Sequence, residues 1–156
     1  MSLYLTLKLI HILSSTLLFG TGIGTAFHML ATHLRGNVPA IASTTRNVVL
    51  ADWLFIATSG VVQPLSGLGL VYLGGWDPQA PWLLATYGLF ALAGLCWLIV
   101  VRLQLQMAVL AGDAIASDTL PSAYFHLMRL WFALGWPAFL ALVAVFWLMV
   151  AKPELG

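Results

Sequence analysis

The stretch Trp82-Leu-Leu-Ala-Thr-Tyr-Gly-Leu-Phe-Ala-Leu-Ala-Gly-Leu-Cys-Trp-Leu-Ile-Val-Val101 runs for about 20 residues without a charged side chain. At roughly 1.5 Å per helical residue it covers about 30 Å, the thickness of a bilayer's hydrocarbon core. The remainder of the chain has the same character. Of its 156 residues, 62% are hydrophobic and 7% charged, whereas a soluble domain carries about 25% charged residues. The spacing of loop residues predicts spans over about 3–31, 48–73, 82–110 and 123–150, all within a single domain 1–156. The fold class expected is all-α: an integral membrane bundle of four transmembrane helices, antiparallel and up-down.

Loop chemistry sets those limits. Gly36, Asn37 and Pro39 mark the first connection, Gly74, Gly75, Asp77, Pro78 and Pro81 the second, and Gly112, Asp113, Ser117, Asp118 and Pro121 the third. The start resembles a signal peptide in having Lys8 before an apolar run, but that run continues to Leu30 and is long enough to span. Arg35, Arg46, Arg102 and Arg129 flank the first and third loops, against Lys8 and Lys152 on the terminal side. By the positive-inside rule both termini are expected outside, in a bacterial inner (cytoplasmic) membrane. Tyr72, Trp76 and Trp82 fit an aromatic belt at the interface opposite those arginines.

Composition excludes several functions. A net charge of +1 gives no basic surface for nucleic acid. Cys96 stands alone in an apolar run, which rules out a disulfide framework. Paired-carboxylate, phosphate-loop, nucleophile-elbow and H-E-x-x-H patterns are all missing from the sequence.

Polar residues inside the spans carry the functional signal, because each must find a partner there. On the second span Asp52, Ser59, Gln63 and Ser66 recur at helical spacing and form an inward stripe. On the first, His11, Ser14, Ser15, Gly22 and Thr25 share a face, with His28 rotated about a quarter-turn from His11. His28, Asp52, His126 and Arg129 fall within about two turns of one membrane face, with Arg102 deeper and Asp52 as its natural counter-charge. His28 and His126 are the level-matched pair for axial haem ligation, with Arg102 and Arg129 balancing haem propionates. His28, Asp52 and His126 are the alternative set for copper or zinc. His11 lies about 25 Å from His28 along the helix and cannot share a metal with it. Gly20 with Gly24, and Gly60 with Gly67, offer small-residue surfaces for a homo-oligomer or a larger membrane complex. Pro64 and Pro137 are expected to kink their spans.

Leu7-Lys8-Leu9-Ile10-His11-Ile12-Leu13, Phe19-Gly20-Thr21-Gly22, Ala51-Asp52-Trp53-Leu54-Phe55 and Gln63-Pro64-Leu65-Ser66-Gly67 resemble the predicted integral membrane proteins of domain of unknown function family 2269. Cys96-Trp97-Leu98, Leu103-Gln104-Leu105-Gln106-Met107, Arg129-Leu130-Trp131-Phe132 and Val150-Ala151-Lys152-Pro153 extend the resemblance over nearly the whole chain. More distantly, the K-x-x-H start, the S-G-x-x-L stretch and the terminal V-x-K-P are similar to a group including the haem-binding protoporphyrinogen oxidase HemJ and the copper-resistance protein CopD. That likeness sets His11 on the group's first-span histidine. Leu84 and Thr86 stand where the HemJ motif W-L-H-x-K has histidine and lysine. The resemblance therefore implies a haem-capable scaffold rather than that reaction.

Together these features lead to the expectation of a membrane protein that binds b-type haem or takes part in membrane redox chemistry through His11, or through His28 and His126. Copper or zinc handling and a non-catalytic subunit role are the alternatives.

Overall fold

The computed structural model describes residues 2–153. Four helices are long and apolar enough to cross a membrane: Leu3–Arg35, Val38–Gly74, Pro81–Asp113 and Ser122–Ala151. The second is compound, and its parts are named separately. In order, the elements are α1 (Leu3–Arg35), α2 (Val38–Ala51), a π-helical segment (Asp52–Ala57), α3 (Thr58–Gly74), α4 (Pro81–Asp113) and α5 (Ser122–Ala151).

The caps explain the boundaries. Ser2 Oγ accepts from Leu5 N–H at the start of α1, and Gly36 ends it at φ 72°, a left-handed conformation that costs glycine little. Asn37 then caps α2, its Oδ1 accepting from Ala40 N–H at 2.8 Å. Helix therefore resumes at Val38, about ten residues before the span expected from the sequence. Pro39 belongs to the first turn of that helix rather than to a loop, where its missing N–H costs nothing. Pro64 and Pro137 lie inside α3 and α5, and both helices continue through them.

Tyr4, the Gly74–Trp76 turn and Lys152 gather at one end of the bundle, where Lys152 Nζ sits 4.0 Å above the Trp76 ring. The connections after α1 and α4 lie at the other. This is the alternation of an up-down bundle.

α1 and α3 are zipped antiparallel. Going up α1, Leu7 meets Gly69, His11 meets Gly67 and Ser66, and Ser14 meets Gln63. A Cβ built on Gly67 would lie 3.2 Å from His11 Cε1, so glycine is what lets the imidazole dock. Gly67 thus makes a contact within the chain, and Gly60 lines the cavity described below. At Gly20 and Gly24 an added Cβ meets nothing within 4 Å. Gly67→Val should cost about 1–3 kcal/mol by pushing the ring off Ser66. Gly69→Ala should cost less, because it meets only the mobile end of Leu7. Thermal unfolding in detergent compares the two.

The helices are longer than a bilayer is thick. About 20 residues separate Lys8 from His28 on α1, and as many run uncharged from Trp82 to Val101 on α4, each enough for the hydrocarbon core. What lies beyond, at the Arg35 end, is a four-helix cap with its own core. Met29, Ile41, Ala42, Val48, Leu103, Met107, Ala111, Tyr124, Met128 and Trp131 are buried there together. Arg102 opens this cap and is exposed. Its side chain faces away from the bundle, so it does not pair with Asp52, the counter-charge expected for it. A smaller core, Val71, Trp82, Leu83 and Leu148, closes the opposite end.

Candidate functional site

Between the two packed ends the bundle is hollow. α1 packs on α3 and α4 on α5, while α2 bridges to α4 only in the cap. A cavity of about 970 Å³ separates the two pairs. Its walls are apolar and rich in rings, among them Phe19, Phe90, Trp131 and Phe139. Phe19 stacks on Phe139 with centroids 5.6 Å apart, so the far side is itself an aromatic wall. Several lining residues, including Phe27 at 72% exposure, also face outward, so the cavity opens sideways toward lipid.

The polar residues of the cavity cluster where it meets the cap. Asp52, the first residue of the π segment, is 2% exposed, and Gln104 of α4 is 3% exposed. Both line the cavity, as does Trp97, and the three stand beside one another. Asp52 Oδ1, Gln104 Oε1 and Trp97 Nε1 are buried without a hydrogen-bond partner. Such orphan atoms are rare because each forfeits the bonds it made to water. The π segment reinforces the picture, since wide turns of this kind are frequent at functional sites. Trp53, next in the π segment, meets Trp97 edge-on at 6.3 Å.

His11 occupies a different environment. Its Nδ1 lies 2.9 Å from Ser66 Oγ, and that hydroxyl donates to Val62 O at 2.6 Å. With the Ser66 proton committed, Nδ1 must be the donor in the first bond, which leaves the lone pair on Nε2. Gln63 Nε2 donates both to His11 O at 2.7 Å and to Ser14 Oγ at 2.6 Å. His11 and Ser14 of the first-span stripe and Gln63 and Ser66 of the second therefore meet and satisfy each other.

The other residues singled out from the sequence do not converge. His28 is exposed, with Nε2 3.4 Å from Thr44 Oγ1. His126 is exposed in a shallow hollow between α4 and α5, lined by Leu105, Gln106 and Val109 among others, and His28 takes no part in it. Arg129 is exposed, its Nε donating to Phe125 O at 3.4 Å. Among the described residues no group of three or more His, Cys, Asp or Glu is assembled to hold a metal, so His28, Asp52 and His126 do not form one three-ligand set. Asp52 finds Gln104 and Trp97 as its neighbours instead of Arg102. Gln104 and Trp97 were not picked out as site residues from the sequence.

No curated protein and no solved structure shows significant similarity to this chain. Residues 5–153, nearly the whole bundle with its cavity and cap, match the family described as predicted integral membrane protein (DUF2269), and the chain belongs to that family.

Proposed function

We propose that this protein binds one large apolar ligand, taken up sideways from the bilayer and held in the cavity between the α1–α3 and α4–α5 pairs. One observation carries the reading: the cavity of about 970 Å³ ends on a buried polar trio, Asp52, Gln104 and Trp97, whose members stand beside one another without closing well-formed hydrogen bonds. Its size lies at the upper end of small-molecule pockets, roughly 300–1,000 Å³, and few polar groups in an apolar wall is the usual way such sites orient a ligand. Depth supports the same view. Asp52 and Gln104 lie near the cap and Phe90 and Leu142 near the bilayer centre, so an amphiphile entering from the membrane arrives in its natural orientation. Organic extraction of detergent-purified protein followed by mass spectrometry should recover a ligand in near-stoichiometric amount. Protein that carries none, and also takes up no added naphthalene-sized compound, would overturn the reading.

Membrane redox chemistry with b-type haem is a second reading, and the His11 tautomer favours it. A histidine whose Nδ1–H is held by an oxygen and whose Nε2 is free is arranged as axial ligands are. The cavity itself supplies no such ligand, since its lining includes no histidine, methionine or cysteine. Haem would therefore have to reach His11 on α1, or the exposed His28 and His126, with Arg102 and Arg129 at headgroup level for its propionates. Bound there, haem would supply one-electron transfer. In protein expressed with haem supplied, His11→Ala should abolish the Soret band. A band that survives this change, or none in the wild type, excludes His11 as the ligand.

A further inference from the structure

We propose that the ligand of this cavity is a lipophilic amine, bound as its ammonium form with the charge against Asp52. The assignment rests on the cavity reading above and adds the chemistry of the head group. Asp52 Oδ1 and Gln104 Oε1 are acceptors, and Trp97 Nε1, the one donor among the three, can meet only one of them, so a ligand that completes the set must bring a donor. A ketone, ester or quinone head brings none. Trp97 Nε1 lies beside the Asp52 carboxylate and needs nothing more than that carboxylate to turn toward it. A hydroxyl would supply one donor; a primary or secondary ammonium supplies two or three.

Charge separates the two. An aspartate carboxylate buried without a cation is costly, and Arg102, the nearest basic residue in sequence to Gln104, is turned outward. An ammonium ligand would remove that cost and a neutral alcohol would not. The walls favour the same species, because indole and phenyl faces attract a desolvated cation while accepting its hydrocarbon. Trp97 stands beside the carboxylate, where such a head would lie, and Trp53 meets the Trp97 ring edge-to-face on the same cavity wall.

The test compares two isosteric probes by calorimetric titration of the full chain in detergent at pH 7: 1-naphthylmethylamine, charged and donor-rich, and 1-naphthalenemethanol, neutral. The amine should bind at least tenfold more tightly, a difference of about 1.4 kcal/mol. Asp52→Asn keeps the shape and removes the charge. It should lower amine affinity at least tenfold and erase the amine's advantage over the alcohol, while thermal unfolding in the same detergent reports an intact fold. The wild-type comparison needs no variant to fold. Equal affinities in the wild type, or an amine preference that survives Asp52→Asn, would overturn the amine assignment while leaving the cavity as a binding site. Failure of both probes to bind would overturn the cavity reading itself.

Discussion

Gly94→Phe is expected to cut the affinity of any cavity ligand at least tenfold while leaving the fold intact or slightly firmer. Gly94 lines the cavity, and a Cβ added to it meets nothing within 4 Å, so the phenyl ring enters space that no protein atom occupies. Two local effects favour the variant: glycine inside a helix is about 1 kcal/mol worse than alanine, and filling a void restores contacts to its walls. Binding and stability should therefore move in opposite directions. Titration with a naphthalene probe beside thermal unfolding in the same detergent reads both. Undiminished binding in the variant would show that ligand lies elsewhere on the molecule.

Met107→Ala should destabilise the protein by about 2–5 kcal/mol, the largest loss expected for a single side chain here. Met107 is 0% exposed and sits at the centre of the cap core, with Met29, Ile41, Tyr124 and Met128. With the uncharged run Trp82–Val101 taken to fill the hydrocarbon, the cap falls beyond it, and a core there is driven by exclusion from water and leaves a cavity when truncated. Leu98→Ala, at a side chain 54% exposed on the hydrocarbon part of the same helix, should cost less than about 1 kcal/mol. Lipid tails are as apolar as leucine, and moving that side chain between the two gains little. Comparable losses from the two variants would mean that the cap is immersed in lipid as deeply as the spans.

The four helices could be read from the sequence because hydrocarbon demands long uncharged runs, and Trp82–Val101 and Leu130–Ala151 supply them unmistakably. The α1–α3 contact was legible for a related reason. Ser14 and His11 on one helix and Gln63 and Ser66 on the other sit at helical spacing, and polar stripes in lipid have to face something polar. The site was harder. Depth follows from counting residues, which is why Asp52, His28 and His126 come out at similar levels, but rotation about each helix axis does not. His126 turns toward a groove outside the bundle, and only Asp52 turns in. Gln104 was overshadowed by Arg102, whose charge dominates any reading of that stretch. Two residues apart on a helix means roughly opposite faces, so an outward Arg102 is itself the signal that Gln104 points inward. The π segment left no mark at all, because Asp52-Trp-Leu-Phe-Ile-Ala57 contains neither glycine nor proline.

That segment also explains how one rod serves two neighbours. Each wide turn takes up an extra residue, and one residue is worth roughly 100° of rotation. A polar register that runs in sequence from Thr44 through Asp52 to Ser66 is therefore re-aimed partway, so that α2 packs on α4 and on α1 in the cap, whereas α3 presents Gln63 and Ser66 to α1. Because the wide turn absorbs that residue, losing one between Asp52 and Ala57 would return the rod to plain α-helix with Gln63 and Ser66 still on His11, and what would be lost is the turn that sets Asp52 beside Gln104 and Trp97.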